Sequence, residues 1–309
     1  MDKKKILIIN NPCSGRNGAR VHPDSVADMF DKNRFSVTVK NTVCRGDAKE
    51  IAYIYAKDYD IITACGGDGT LSEVINGVMK SGIDVPVGYI PMGSTNDLAS
   101  TVSIPSDTRD AVRVIESGHA NEYDIGSFNS RMFTYVACFG PGTHVSYSTP
   151  QKMKNILGYN AYMINGFLFN AIPTMLELKP KHIKIEYDGN VLDDEFYFGA
   201  VSNALSVAGM FKFDRNKVRL NDGKFEVMLV RKINGAFGLF SMLKKMIKGD
   251  YDGDSLISLT ASNIKFTFDS GVDWSLDGEY GGNIRIADIK SEHNAVKLLS
   301  PESALFNNE

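Results

Sequence analysis

The feature that most constrains the fold is a glycine cluster, Gly66-Gly-Asp-Gly-Thr-Leu-Ser-Glu-Val-Ile-Asn-Gly77, which joins a strand pattern to a helix pattern. Residues 60–65 predict a short buried strand, and residues 71–78 have the apolar spacing of a helix. Glycine lets the backbone approach a ligand closely, and a helix N-terminus offers unpaired N–H groups to an anion. The cluster therefore predicts a phosphate-binding turn in which Asp68 holds a metal counter-ion.

One alternative interpretation of this cluster and one missing signature bear on its function. Thr70 and Glu73 have the spacing of a capping box, which would make the stretch an ordinary helix start. The usual nucleotide signatures are absent, because no Gly-Lys-Ser/Thr follows and Ser72 breaks the dinucleotide fingerprint. A phosphate-binding turn without a lysine needs help from elsewhere in the chain.

Two further polar turns follow predicted strands. The strand at 6–9 leads into Asn10-Asn-Pro-Cys-Ser-Gly-Arg-Asn-Gly18, and the strand at 85–90 leads into Pro91-Met-Gly-Ser-Thr-Asn-Asp97. In the second turn Ser94 is placed to cap a helix. Ligands of open parallel sheets bind at the carboxyl ends of the strands, so the three turns together predict a nucleotide site.

Composition limits the class of protein. A length of 309 residues suggests about two domains. The net charge of −3 provides no basic field for nucleic acid. The four cysteines are scattered, which predicts a reduced, cytosolic protein. The apolar run near the N-terminus is too short for a signal peptide, and no run has the length of a membrane span.

The pattern of predicted strands and helices changes near residue 126. Before it, strand and helix patterns alternate, as in a parallel sheet with crossover helices. After it, strand patterns follow one another with few helices, and Asp188-Gly189 is a hairpin turn signal. We expect an antiparallel second domain, a sandwich or distorted barrel, interrupted by helical material around 149–178.

The motifs resemble those of the diacylglycerol kinase catalytic domain family, which includes soluble bacterial lipid kinases and sphingosine kinases. The resemblance covers nearly the whole chain. The motifs that carry it are Asn11-Pro-x-Ser-Gly15, Gly66-Gly-Asp-Gly-Thr-Leu-x-Glu-Val-x-Asn-Gly77, Ile90-Pro-x-Gly-Ser-x-Asn-Asp97 and Leu276-Asp-Gly-Glu-Tyr-Gly-Gly282. It implies a three-layer α/β domain with a parallel sheet over 1–126, completed by 300–309. A C-terminal antiparallel β-sandwich with inserted helices would occupy 127–299.

The resemblance also implies a set of site residues. Mg²⁺ would be held by Asp68 and Asp97, with Asn96 nearby, and Asp68 is also expected to take part in catalysis. The residues expected to bind ATP are Asn11, Pro12, Cys13, Ser14, Gly15, Thr42, Gly66, Gly67, Asp68, Gly69, Thr70, Leu71, Ser72, Ser94 and Asn96.

For the catalytic base we favour Asp277, with Glu279 as its partner or substitute. In a strand their side chains would share a face, so either could reach an acceptor hydroxyl. The alternative is that Asp277-Gly278 is only a hairpin turn.

The segment Arg219-Leu-Asn-Asp-Gly-Lys224 resembles one that holds a structural Mg²⁺ in related bacterial kinases. Asp222 would supply the carboxylate, and Arg219 and Lys224 would contribute backbone carbonyls. Asn221 stands where relatives often have a second aspartate, which leaves occupancy open. A type I′ turn at Asp222-Gly223 is the alternative.

The expected function is an ATP-dependent lipid kinase that phosphorylates the hydroxyl of diacylglycerol, giving phosphatidic acid. Alternatives are a kinase of a sphingoid base, another lipid alcohol or NAD, and a nucleotide-responsive binding protein. We expect the protein to be cytoplasmic, either free or bound peripherally at the inner face of the membrane. It would meet its acceptor at the membrane surface. The apolar stretches 166–175 and 238–248 are candidates for bilayer contact or for packed core helices. Nucleic acid is not an expected partner, a homodimer is one candidate assembly, and the oligomeric state stays open.

Overall fold

A computed structural model describes residues 3–14, 23–93, 96–140, 179–207, 211–233, 238, 255–301 and 305–306. The helical material predicted around 149–178 and the apolar stretch 166–175 lie outside these ranges, as does 238–248 apart from Gly238. The described part of the chain is rich in strands and contains helices between the early strands, which confirms the predicted α/β content.

The helices are α1 Pro23–Ala27, α2 Asp47–Tyr55, α3 Asp68–Ser81, α4 Asp97–Thr101 and α5 Thr108–Ser117, with a short 3-10 turn at Ala56–Asp58. The strands of the first half are β1 Lys4–Asn10, β2 Phe35–Asn41, β3 Ile61–Gly66, β4 Val87–Pro91, β5 Ala120–Phe128, β6 Arg131–Phe133 and β7 Val136–Phe139. The later strands are β8 Lys181–Tyr187, β9 Asn190–Ser202, β10 Ser206–Val207, β11 Phe211–Lys212, β12 Phe225–Arg231, β13 Leu256–Ala261, β14 Asn263–Leu276 and β15 Glu279–Leu299.

The chain divides into two compact units. Unit 1 comprises Met1–Asp124 and His293–Glu309, and unit 2 comprises Ile125–Glu292. The C-terminal segment of the chain thus belongs with the N-terminal part.

Unit 1 is built on parallel strands in the order β2-β1-β3-β4. All six residues of β3 are buried, as expected of a strand with crossover helices on both faces. Leu298 at the end of β15 pairs in parallel with Val87 of β4. Helices α2 and α3 pack closely at Gly77, where a Cβ would lie 2.3 Å from the Lys49 carbonyl oxygen. The carboxyl ends of β1, β3 and β4 all lead into the polar turns identified in the sequence.

Unit 2 is dominated by antiparallel pairing. The strands β13, β12, β9, β7 and β14 follow one another, and β8 pairs with both β9 and β14. The predicted hairpin at Asp188-Gly189 is confirmed, since both residues have a positive φ (41° and 84°) between β8 and β9. The core is aromatic: Trp274, 1% exposed, contacts the rings of Phe128, Phe139, Phe266 and Phe268.

Among the helices that the structure describes, none is both long and apolar enough to span a bilayer.

Candidate phosphate and metal site

The glycine turn between β3 and α3 is closed by a second turn that follows β4. The Met92 N–H donates to the Gly66 carbonyl at 2.6 Å. A Cβ placed on Gly93 would lie 2.6 Å from the Gly67 Cα, so the two backbones touch. Such an approach requires glycine at position 93, whereas a Cβ on Gly67 would lie 3.3 Å from the Gly93 Cα and need a smaller shift. The turns after β3 and β4 therefore form one continuous backbone surface.

The capping-box interpretation of Thr70 and Glu73 is wrong. The helix begins at Asp68 with Gly67 as its N-cap, and no side chain caps it. The Glu73 carboxylate instead accepts hydrogen bonds from the N–H groups of Gly46 (2.9 Å) and Ala48 (3.2 Å), at the start of α2. Gly67 thus provides no side-chain cap for α3, and helix starts of this kind are typical anion sites.

Asn11 ties the turn after β1 to the same helix. Its side-chain N–H donates to the Thr70 hydroxyl at 3.1 Å, and its Oδ1 accepts from the Cys13 N–H at 3.0 Å. The Asn11 N–H donates to the Cys65 carbonyl at the end of β3. Thr42, which is buried, joins through its N–H to the Asn10 carbonyl. The residues that the sequence predicted in the turns after β1 and β3 therefore lie together.

Not every predicted nucleotide contact has a described position or an available side chain. Gly15 and Ser94 lie outside the described residues. Leu71 is 1% exposed and its side chain belongs to the core, so only its backbone faces the turn. Pro12 and Gly69 are exposed, Cys13 is exposed, and Ser14 and Ser72 are partly buried.

Two carboxylates meet at this surface. The Asp97 N–H donates to Asp68 Oδ2 at 3.1 Å, which links the start of α4 to the start of α3. Burial raises the pKa of Asp68, although backbone N–H groups of Asp97, Leu98 and Asn96 partly offset it. Burial and the charge of Asp68 raise the pKa of Asp97 to about 7. The electrostatics of the site thus favour a bound positive charge.

One oxygen of this pair has no protein partner among the described residues. Asp68 Oδ1 is inaccessible to solvent, and no described group meets it with hydrogen-bond geometry. An unpaired buried carboxylate oxygen is costly unless a ligand satisfies it. Oxygen ligands and negative charge suit Mg²⁺, so the residues present fit that ion. No group of three or more His, Cys, Asp or Glu residues with metal-binding geometry occurs in the described ranges.

Tyr89 also contacts this surface, although it was not among the residues predicted for the site. This residue of β4 is 1% exposed, and its hydroxyl donates to Asn96 Oδ1 at 3.1 Å. Burial, followed by the charges of Asp68 and Asp97, raises the pKa of Tyr89 well above its usual range. Asn96 also accepts from the Gly93 N–H and has a left-handed backbone, φ 54°. The available signal was a phenol in an otherwise apolar strand that ends at a predicted site.

Asp277 lies in the turn between β14 and β15, not in a strand. Asp277 and Gly278 have positive φ, 50° and 79°, and Leu276 pairs with Glu279. The expected strand face shared by Asp277 and Glu279 is therefore wrong, and the hairpin-turn interpretation describes the backbone. The Asp277 carboxylate accepts from the N–H groups of Thr134 (2.6 Å), Tyr135 (2.9 Å) and Val136 (3.1 Å).

The Asp222 segment precedes β12. Asp222 is exposed, and its Oδ1 accepts from the Lys224 N–H at 3.0 Å. Gly223 has a φ of 74°, whereas Asp222 is not among the residues with positive φ, so the predicted type I′ alternative is wrong. The Arg219 guanidinium donates to the carbonyls of Asn216 and Val218 and thereby braces this segment.

Comparison with known proteins agrees with these observations. Residues 5–128 match the family described as the diacylglycerol kinase catalytic domain. A diacylglycerol kinase of Staphylococcus aureus (strain MRSA252) is 36% identical over 99% of this chain and 97% of its own. One from Bacillus subtilis (strain 168) is 34% identical over 90% of this chain and 91% of its own.

The fold has solved counterparts. A crystal structure of a diacylglycerol kinase from Bacillus anthracis str. Sterne has a TM-score of 0.71 at 19% identity and covers 97% of this chain and 98% of its own. At that identity the likeness speaks for the fold alone. The sequence relatives decide membership over nearly the full length, and the chain belongs to the diacylglycerol kinase catalytic domain family.

Proposed function

We propose that this protein transfers the γ-phosphoryl group of ATP to the hydroxyl of diacylglycerol and so makes phosphatidic acid. The observation that carries the proposal is the buried, unpaired Oδ1 of Asp68 beside Asp97 at the glycine turn. The names of the full-length relatives support diacylglycerol as the acceptor.

The glycine turn would bind the phosphates of ATP. Exposed Gly69 and the backbone N–H groups at the start of α3 face an anion without a side chain in the way. Asn11 and Thr70 hold the turns after β1 and β3 in register through their mutual hydrogen bond. The donor phosphates are then positioned by backbone that is fixed before ATP binds, which lowers the entropic cost of reaching the reactive geometry.

Asp68 and Asp97 would hold Mg²⁺, and the hydrogen bond from Tyr89 to Asn96 braces the turn after β4. When bound, the ion neutralises charge that develops on the phosphoryl oxygens. Since burial and mutual repulsion disfavour two ionised carboxylates here, the ion also stabilises the turn itself.

The acceptor hydroxyl must lose its proton, and the Asp277–Glu279 hairpin offers two carboxylates for this role. Asp277 is proposed as the base, with Glu279 as its partner. The three backbone hydrogen bonds to Asp277 give this side chain a structural task as well. Glu279 is exposed at the first residue of β15.

A second cation is proposed at the Asp222 turn. Asp222 supplies a carboxylate, and the carbonyls of Arg219 and Lys224 complete the set together with water. This cation would be structural, because the segment leads directly into the buried strand β12.

The finer architecture and setting also belong to the proposal. The architecture comprises a three-layer arrangement of the α/β part and a β-sandwich in the C-terminal part. The setting is that of a cytoplasmic protein that meets its lipid at the membrane surface and assembles as a homodimer. The parallel and antiparallel pairings within each unit support the two architectures.

The proposed reaction is tested with γ-labelled ATP and a panel of lipid and soluble alcohols. We expect label in phosphatidic acid, and Asp68→Asn should lower the rate by roughly 100-fold or more, since charge stabilisation at the phosphoryl group is lost. Asp110→Asn is the matched control, because this aspartate is exposed and pairs only on the surface with Arg113. Label in NAD or another soluble alcohol, or full activity of Asp68→Asn, would contradict the proposal.

A further inference from the structure

Unit 2 contains a buried carboxylate that the proposed reaction does not use. Glu226 is the second residue of β12 and is only 7% exposed. Its neighbours Phe225 and Val227 point into the aromatic core, so Glu226 lies on the opposite face of the strand. Its Oε2 is inaccessible to solvent and has no hydrogen-bond partner among the described residues. A carboxylate oxygen in that position is costly unless a ligand satisfies its hydrogen-bonding or coordinating capacity.

A second unpaired oxygen lies beside it. Ser202 of β9 is the cross-strand partner of Glu226, so the two side chains share a face. Ser202 is 0% exposed, and its Oγ likewise has no partner among the residues that the structure describes. Two adjacent strands therefore place a carboxylate and a hydroxyl together in the interior.

The Asp222 turn lies next to this pair in the chain. The side chain of Asn203, the residue after Ser202, donates to the Leu220 carbonyl at 3.1 Å, which holds the segment before Asp222 against the end of β9. Asn221, 8% exposed, continues the buried polar surface towards the strand. Glu226, Ser202 and Asp222 offer oxygen ligands, and the charges among them are negative, which suits a hard divalent cation.

We propose that Glu226, together with the Ser202 hydroxyl, provides a buried half of the cation site at the Asp222 turn, so that a divalent cation of the Mg²⁺ class links the turn to β12 and β9. This inference rests on the proposed cation at Asp222. It assigns two ligands beyond the turn itself. The cation would satisfy both unpaired oxygens and offset the repulsion between the two carboxylates.

Manganese binding to the full-length protein tests the inference. The Asp68→Asn background removes the proposed ATP-site cation, and protein stripped with EDTA is titrated with Mn²⁺ while free Mn²⁺ is followed by electron paramagnetic resonance. We expect one bound Mn²⁺ in this background and a rise in Tm on binding. Glu226→Gln should weaken binding about tenfold or more, and Ser202→Ala should weaken it less.

Two further variants make the result interpretable. Asp222→Asn should weaken Mn²⁺ binding as Glu226→Gln does, because both carboxylates belong to one site. Glu186→Gln is the matched control: it removes the same charge from a partly exposed residue of unit 2 that pairs with Lys184, and Mn²⁺ affinity should not change. Circular dichroism verifies that Glu226→Gln, which preserves side-chain size, is folded.

The outcomes separate this inference from the proposed site on which it rests. If Asp222→Asn weakens binding and Glu226→Gln does not, the turn holds a cation and the buried ligands are overturned. If neither variant changes Mn²⁺ affinity or the Mn²⁺-dependent rise in Tm, both the cation at Asp222 and the role of Glu226 are overturned. Neither result bears on the kinase activity.

Discussion

Asp277 and Glu279 are two residues apart but have different surroundings. Asp277 accepts three backbone hydrogen bonds that connect the β14–β15 turn to residues 134–136, whereas Glu279 is exposed. A base in the reaction needs an oxygen free to approach the acceptor hydroxyl. As the proposed base, Asp277 would have to serve the fold and the reaction with one carboxylate, whereas Glu279 is the exposed first residue of β15.

The pair Asp277→Asn and Glu279→Gln separates these tasks. Asp277→Asn should lower kcat and also stability, by about 1–3 kcal/mol, because its amide cannot accept all three N–H groups. Glu279→Gln should keep the wild-type free energy of unfolding and lower kcat by roughly 100-fold if it assists proton removal. Steady-state kinetics and urea unfolding measure both. Near-normal turnover of Asp277→Asn would remove Asp277 as the base.

At this scale the sequence located the polar turns better than it predicted the contacts between them. The glycine cluster singled out Asp68 as a candidate site residue, because a carboxylate among glycines at a helix start is typical of phosphate sites. It could not show that Asp97 reaches Asp68, since that contact spans 29 residues and depends on the Gly67–Gly93 approach. Tyr89 was missed for the same reason: its hydroxyl matters only because the turn after β4 folds back onto it.

Among the elements, the glycine turns after β3 and β4 offer a test of their own. Gly93→Ala places a Cβ 2.6 Å from the Gly67 Cα, so the turns must separate. We expect a lower Tm together with weaker ATP binding, measured by thermal unfolding and isothermal titration. Gly69→Ala is the comparison, since its Cβ meets nothing within 4 Å. It should keep or raise the Tm, because alanine favours a helix, while still weakening ATP binding.

The two variants distinguish stability from ligand contact. If Gly69→Ala binds ATP normally, the start of α3 does not hold the phosphates. If Gly93→Ala keeps the wild-type Tm, the close approach of the two turns is not essential to the fold.

Strands and helices near the site were predictable because their apolar period is local. The burial of β3 and the helical spacing of α3 follow directly from residues 61–78. The start of α3 was harder to predict from the sequence. Thr70 and Glu73 have the capping-box spacing, yet Glu73 is occupied by the first N–H groups of α2, which are distant in sequence. Local pattern cannot reveal a partner 25 or more residues away.

For the whole molecule, the C-terminal segment decides whether unit 1 is complete. Leu298 is 0% exposed and pairs with β4, and Asn121 donates to the Ser300 hydroxyl at 2.8 Å. Asp124, whose side chain is buried, accepts from the Asn294 N–H at 2.7 Å. Family resemblance placed this return at residue 300, whereas the contacts of unit 1 resume at His293. The alternating pattern of β15 gave no sign of where one unit gives way to the other.

Leu298→Ala tests how much this segment contributes to the stability of unit 1. The loss of a fully buried leucine should cost about 2–5 kcal/mol of the free energy of unfolding. Ile286→Ala in the same strand is the control, because Ile286 is 49% exposed and should cost far less. Urea denaturation of the two variants gives the comparison, and equal losses would show that the end of β15 does not secure unit 1.

The path of β15 has a consequence for the newly made chain. This strand begins in unit 2 at Glu279 and ends in unit 1 at Leu299. A ribosome that has finished Asp124 must add all of unit 2 before it reaches the segment from His293 that completes unit 1. At roughly 5–20 residues per second, that interval lasts on the order of ten to thirty seconds. Unit 1 is thus begun first and finished last, so a prematurely terminated chain carries the glycine-rich turns but lacks the segment that completes unit 1.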